Sequence, residues 1–93
     1  MNKYVVERNI PGVGKMTLSD LQAVGRKSVG VLADLGVDIQ WLESFVTADK
    51  IYCVYLAPDE DLIREHGRLC GIPVSSVVRI SRVIDPTIAT ATS

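Results

Sequence analysis

Two β-type runs flank a four-residue turn in the middle of this 93-residue chain. VDIQWLESFV at 37–46 and IYCVYLA at 51–57 are rich in aromatic and β-branched residues, and Thr47–Lys50 lies between them. They predict an antiparallel hairpin. With Ala48 and Asp49 as the loop, Thr47 pairs with Lys50, Phe45 faces Tyr52 and Glu43 faces Val54. Regular alternation then puts Trp41, Glu43, Phe45, Tyr52, Val54 and Leu56 on one face. Leu42, Ser44, Val46, Ile51, Cys53 and Tyr55 take the other.

The flanking segments supply the remaining elements. KYVVER at 3–8 reads as a strand and NIPGVGK at 9–15 as a loop. Thr17 or Ser19 is the helix cap, and Thr17 has Asp20 three residues on. Leu21, Val24, Ser28, Val31, Leu32 and Leu35 recur at helical spacing, and Gly36 is a stop. Pro58 ends the hairpin and Asp59 caps a second helix, whose apolar side is Leu62, Ile63, His66, Leu69 and Cys70. Gly71 and Pro73 close it, and VSSVVRISRVI at 74–84 reads as a last strand. The order is βαββαβ. It predicts an α+β domain over 1–86, with a four-stranded antiparallel sheet, two helices on one face and a short polar tail at 87–93.

With two helices the second face of the sheet has no cover. The chain is 47% hydrophobic, and that face carries Trp41, Phe45 and Tyr52. Pairing with a second copy through these three residues is the simplest remedy, giving a homodimer that closes as a dimeric α/β barrel.

The stretches IPGVGK, QWLESFVTADKIYCVYLAPDEDLIREHGRLCGIP and RVIDP resemble a small bacterial domain family of ferredoxin-like α+β fold. The matching positions are Pro11, Gly12, Gln40, Trp41, Thr47, Asp49, Lys50, Tyr52, Cys53, Tyr55, Ala57, Pro58, Arg64, Glu65, His66, Gly71 and Pro73. Ile72 stands where a relative has an aromatic. The resemblance implies the ferredoxin-like βαββαβ fold and a dimer of the α/β-barrel type. One actinobacterial relative is described as nickel-binding, so it also implies Ni2+ or another divalent transition metal as a ligand.

Charge narrows the partners. Ten basic and eleven acidic residues give a net charge of −1, spread along the chain, which argues against a nucleic-acid partner. No stretch approaches membrane-spanning length, so no membrane partner is expected. Cys53 and Cys70, with no secretory signal evident, point to free thiols in the cytoplasm, although a disulfide between them stays open.

His66 is the only histidine, and imidazole suits transition metals. Together with the adjacent Glu65 it forms the candidate metal pair. Consecutive helical residues point apart, however, so further donors must come from elsewhere: Glu7, Glu43, Asp85 or Cys70. Glu43 falls between Trp41 and Phe45 on the helix-free face, where a carboxylate must be solvated, hydrogen-bonded or paired. Arg8, Arg79 or Arg82 would reach it. Glu43, Arg8 and Tyr52 are thus a candidate site for a small polar ligand, and Glu43 the candidate general base should the site be catalytic. IPGVGK lacks P-loop spacing, and the two cysteines lack redox spacing. The expected function is a small ligand-binding protein, with nickel as the leading ligand. The alternatives are a small-molecule enzyme of isomerase or oxygenase type and a structural or protein-interaction dimer.

Overall fold

Alternation in the first strand decides which side of the sheet becomes the core. In KYVVER the side chains of Tyr4, Val6 and Arg8 point one way and those of Lys3, Val5 and Glu7 the other. The computed structural model describes residues 1–36 and 38–90, and it buries the first set. Its elements are β1 (Asn2–Asn9), α1 (Leu18–Leu35), β2 (Gln40–Val46), β3 (Lys50–Ala57), α2 (Glu60–Cys70) and β4 (Ser76–Arg79). Short 3-10 turns lie at Val13–Lys15 and Pro86–Thr90. The strands form one antiparallel sheet in the order β2-β3-β1-β4. This is the ferredoxin-like α+β arrangement, with both helices on the Tyr4–Val6–Arg8 side. Among the described residues no helix is long and apolar enough to cross a membrane.

Local signals set the helix ends. Thr17 Oγ1 accepts from the Asp20 amide at 3.1 Å, and the Asp20 carboxylate accepts from the Thr17 amide at 3.1 Å. Such a cap contributes roughly 0.5–2 kcal/mol. Asp59 Oδ1 accepts from the Leu62 amide, and Gly71 ends α2 at φ 68°, a conformation glycine adopts without strain. The loop at 9–15 is fastened to the hairpin turn: the Gly12 amide donates to Asp49 Oδ1 and the Gly14 amide to Ala48 O. A Cβ on Gly14 would sit 2.8 Å from Ala48 Cα and Thr47 O, so only glycine allows this approach.

The hairpin keeps the expected register near its turn. Phe45 pairs with Tyr52 and Glu43 with Val54. Farther out it departs, because a β-bulge lies between Trp41 and Glu43 and Trp41 pairs with Tyr55. The extra residue flips Trp41 to the helix-covered face. The expected common face of Trp41 with Phe45 and Tyr52 is therefore corrected: Phe45 and Tyr52 stay on the open face and Trp41 leaves it. β2 itself begins at Gln40, so Asp38 and Ile39 precede it, and Val37 lies outside the described residues.

The last strand is shorter than the 74–84 run suggests. β4 pairs with Tyr4–Glu7 of β1, and Ile80 N still donates to Lys3 O. Beyond that point β1 runs out, because it starts at Asn2, and the chain leaves the sheet. Residues 87–90 of the expected tail belong to the exposed 3-10 turn, and 91–93 lie outside the described residues.

The core joins Tyr4, Val6, Ile51, Cys53, Tyr55 and Ala57 of the sheet to Ile63 of α2 and Val13 of the loop. The two helices differ in how they use it. α2 buries Ile63, His66, Gly67 and Cys70 against β3 and β4. α1 leans on α2 and stands off the strands. It buries only Ser28, and Leu21, Val24 and Leu32 remain half-covered.

Candidate ligand pocket

The gap under α1 is a cavity of about 440 Å3. Its roof is Leu21, Val24, Gly25 and Ser28 of α1. Its floor is Arg8 of β1, Trp41, Ser44 and Val46 of β2, and Ile51, Cys53 and Tyr55 of β3. The loop residues Ile10, Val13 and Met16 close one side, and Gly71–Pro73 close another. The lining is mostly apolar, with a few polar groups held in fixed positions, as in small-molecule sites generally. Trp41 Nε1 donates to Ser44 Oγ at 2.8 Å, and Ser44 Oγ donates to Cys53 Sγ at 3.0 Å. Gly25 keeps the roof thin: a Cβ there would meet only the Trp41 ring, at 3.9 Å.

Arg8 is the one cation in the lining, and the residue is 2% exposed. Its Nη1 donates to Pro73 O at 3.3 Å and its Nη2 to Tyr55 Oη at 3.2 Å. No carboxylate pairs with it among the described residues. Tyr55 does not neutralise it either, since burial pushes the phenol up to about 12 and keeps its proton on at neutral pH. Gly67 lets α2 pass close by: a Cβ there would lie 3.5 Å from Arg8 Nη1 and 2.5 Å from Val74 Cγ2.

The residues singled out in the sequence are dispersed. Arg8 is on the opposite face from Glu43, so the expected Glu43–Arg8–Tyr52 site does not form within one chain. The sequence carried the signal, because Arg8 shares its period of two with Tyr4 and Val6. Glu43 is exposed, and no cation pairs with it among the described residues. Tyr52 is half-buried on the open face beside Glu7, whose carboxylate accepts from Lys50 Nζ at 2.6 Å and from Ser76 Oγ at 3.3 Å. The amides of the IPGVGK loop are spent on internal bonds. Cys53 and Cys70 are both free and buried.

His66 is fully buried at the interface of the two helices. Its Nε2 lies 3.2 Å from Ser28 Oγ, 3.4 Å from Ser28 O and 3.4 Å from Cys70 Sγ. The Ser28 carbonyl accepts when Nε2 carries the proton, the Ser28 hydroxyl or the Cys70 thiol donates when it does not, and the buried Nδ1 has no partner among the described residues. The Tyr55 ring meets the imidazole edge-on, with centroids 5.6 Å apart. Glu65 turns away and binds Arg68 on the exposed side of the helix, which holds its carboxyl below the usual range. Among the described residues no three His, Cys, Asp or Glu side chains converge as a metal site. Within one chain His66 and Glu65 therefore point apart, because neighbouring helical positions diverge.

Burial holds the His66 pKa below its ordinary 6.5; the Ser28 backbone opposes this, and the Arg8 charge adds to it. The unfolded chain therefore binds a proton more readily than the folded one. His66 contributes stability that is complete above pH 6.5 and is lost as pH falls toward its depressed folded value. The thermal midpoint should drop between pH 7.5 and 5.5, and His66→Gln should flatten that drop. The lowered carboxyls of Glu7, Glu65 and Asp85 titrate from 4.5 downward, below this window. An unchanged slope in the variant would show that His66 does not govern it.

The fold has a solved counterpart. The crystal structure of SCO4226 from Streptomyces coelicolor A3(2) superposes with a TM-score of 0.75 at 12% identity, over 88% of this chain and 99% of that one. Among curated proteins nothing matches. A family model, that of the nickel responsive SCO4226-like proteins, matches residues 4–80. With 4–80 spanning the sheet, both helices and the pocket between them, this chain belongs to the SCO4226-like family of nickel responsive proteins.

Proposed function

We propose that this chain is a small-molecule-binding protein and that its binding space is the pocket between α1 and the sheet. The observation that carries this reading is the stand-off of α1. A helix with half its apolar stripe uncovered, above a floor of fixed polar groups, lacks the filling that a close-packed core supplies. The lining holds no carboxylate and no imidazole, which favours binding over acid–base catalysis. The family is described as nickel responsive, which fits a binding protein whose task is linked to nickel. The buried free thiols suit a reducing cytoplasm.

Nickel as a direct ligand is a second reading, supported by that same family description. The residues of one chain fit it poorly: His66 and Cys70 are two donors a helical turn apart, short of the four that a square-planar Ni2+ site uses. Calorimetric titration of tag-free protein with Ni2+ separates the two readings. The pocket reading expects no stoichiometric uptake that depends on His66. Uptake that disappears in His66→Gln would favour nickel.

We also propose that the open face pairs with a second copy of the chain. Phe45 and Val78 are 53% and 54% exposed there, beside Val5, Tyr52, Val54 and Leu56, and burying such a patch favours association. The solution mass should be that of a dimer, and Phe45→Glu, which sets a second glutamate beside Glu43, should give monomers. A monomeric wild type would overturn the pairing.

The pocket reading is tested by filling it. Gly25→Leu puts a side chain under α1 and adds helix propensity of up to about 1 kcal/mol. N-phenyl-1-naphthylamine, an uncharged fluorophore, should brighten with the wild type. It should bind Gly25→Leu about tenfold more weakly or worse, as expected when overpacking costs about 1–3 kcal/mol. Equal binding to both would place the probe elsewhere and remove the pocket from the account.

A further inference from the structure

A guanidinium inside a protein normally has a carboxylate or a full set of oxygen acceptors around it. Arg8 has neither. Two of its five N–H groups reach oxygen, the carbonyl of Pro73 and the hydroxyl of Tyr55, and both acceptors are neutral. The remaining N–H groups find no oxygen of the chain among the described residues, and the Cys53 thiol is the further neighbour that bears on the guanidinium. Arg8 also lines the cavity under α1, with only 2% of its surface exposed. The bonds to Pro73 and Tyr55 fix the orientation of the fork, and the close passage of α2 at Gly67 covers one flank.

The charge count defines the missing partner. The lining contains one cation and no anion. A monoanion would neutralise it, whereas a phosphate monoester would bring a second charge into apolar surroundings with nothing to meet it. The guanidinium is planar and presents parallel donors, which match the two oxygens of a carboxylate. The rest of the wall is Ile10, Val13, Met16, Leu21, Val24 and the Trp41 ring, which suits a hydrocarbon or aromatic body.

We propose that the pocket takes an apolar molecule bearing a single carboxylate, with the carboxylate seated on the Arg8 guanidinium and the body lying under α1 against Trp41. This rests on the pocket reading above and adds the chemistry of the ligand. The anion that the described residues do not provide is supplied by the guest, so binding and charge neutralisation are one event.

Two fluorophores with one skeleton isolate the anion. 8-Anilino-1-naphthalenesulfonate is N-phenyl-1-naphthylamine with a sulfonate added, and the sulfonate stands in for the carboxylate as a singly charged oxyanion. The wild type should bind the sulfonate roughly 10–100-fold more tightly than its neutral counterpart, the range expected for charge-assisted hydrogen bonds. Arg8→Gln should erase the preference while retaining the neutral probe. Because removal of Arg8 can weaken the fold, a second comparison uses the wild type alone: dodecanoate should displace the bound sulfonate, and dodecan-1-ol should need roughly tenfold more or worse. Equal binding of the two fluorophores together with equal displacement by acid and alcohol would overturn the anion assignment and leave the pocket standing. If Gly25→Leu left the neutral fluorophore bound, the pocket itself would fall.

Discussion

A charge that cannot be discharged sits inside the helix-covered half of this protein. Arginine stays protonated at any pH a cell offers, so its burial has to be compensated by bonds or by a counter-ion. Arg8 ties three segments: its own strand β1, the neighbouring strand β3 through Tyr55, and the exit from α2 through Pro73. The glycine at 67 exists where the helix must pass this side chain and Val74 without a Cβ. Thus the passage of α2 at Gly67 and the Pro73 end of the pocket wall both lie against one guanidinium. An apolar residue at position 8 would continue the run of Tyr4 and Val6 and fill the core, but it would provide no anchor for a guest.

The two helices divide the work. α2 packs closely and buries Ile63, His66 and Cys70, which makes it the rigid wall, while Leu69, expected on the same side, is 42% exposed. α1 meets α2 through Ser28, which caps the His66 ring, and from there its Leu21–Gly25 half leaves the sheet uncovered. A bulge in β2 brings Trp41 under that raised half, and Ser44 and Cys53 hold the indole by a relay of hydrogen bonds. The open face of the sheet is a separate surface with its own chemistry: Phe45, Val54 and Val78 interspersed with the Glu7–Lys50–Ser76 cluster. The proposed ligand pocket and the proposed self-association surface thus fall on opposite sides of one sheet.

Much of this was legible in the residues. The element order, the Thr17–Asp20 cap, the Asp59 cap, the Gly36 and Gly71 stops and the Phe45–Tyr52 pairing follow from local chemistry, which depends on neighbours a few positions away. The bulge at Leu42 was not legible, since nothing in QWLESF marks an inserted residue, and one slip moves Trp41 from the open face to the pocket. The length of β4 was hidden too, because it is set by where β1 ends rather than by VSSVVRISRVI itself. His66 and Glu65 illustrate a different limit: their residue types suggest a metal, but their directions on the helix and the burial of His66 against Ser28 are tertiary facts. Arg8 is the instructive case. Its alternation with Tyr4 and Val6 carries the signal for an inward side chain, against the expectation that set it beside Glu43 on the helix-free face.

Two side chains of the pocket report on its occupancy directly. Arg8 Nε–H and the Trp41 indole N–H both give signals in a nitrogen–proton correlation spectrum, and they lie at the floor of the same cavity. During titration with dodecanoate both signals should shift together along one saturable curve, while amides of the open face around Phe45 stay in place. Saturation with Arg8 and Trp41 unmoved, or with shifts confined to the open face, would contradict binding in the pocket.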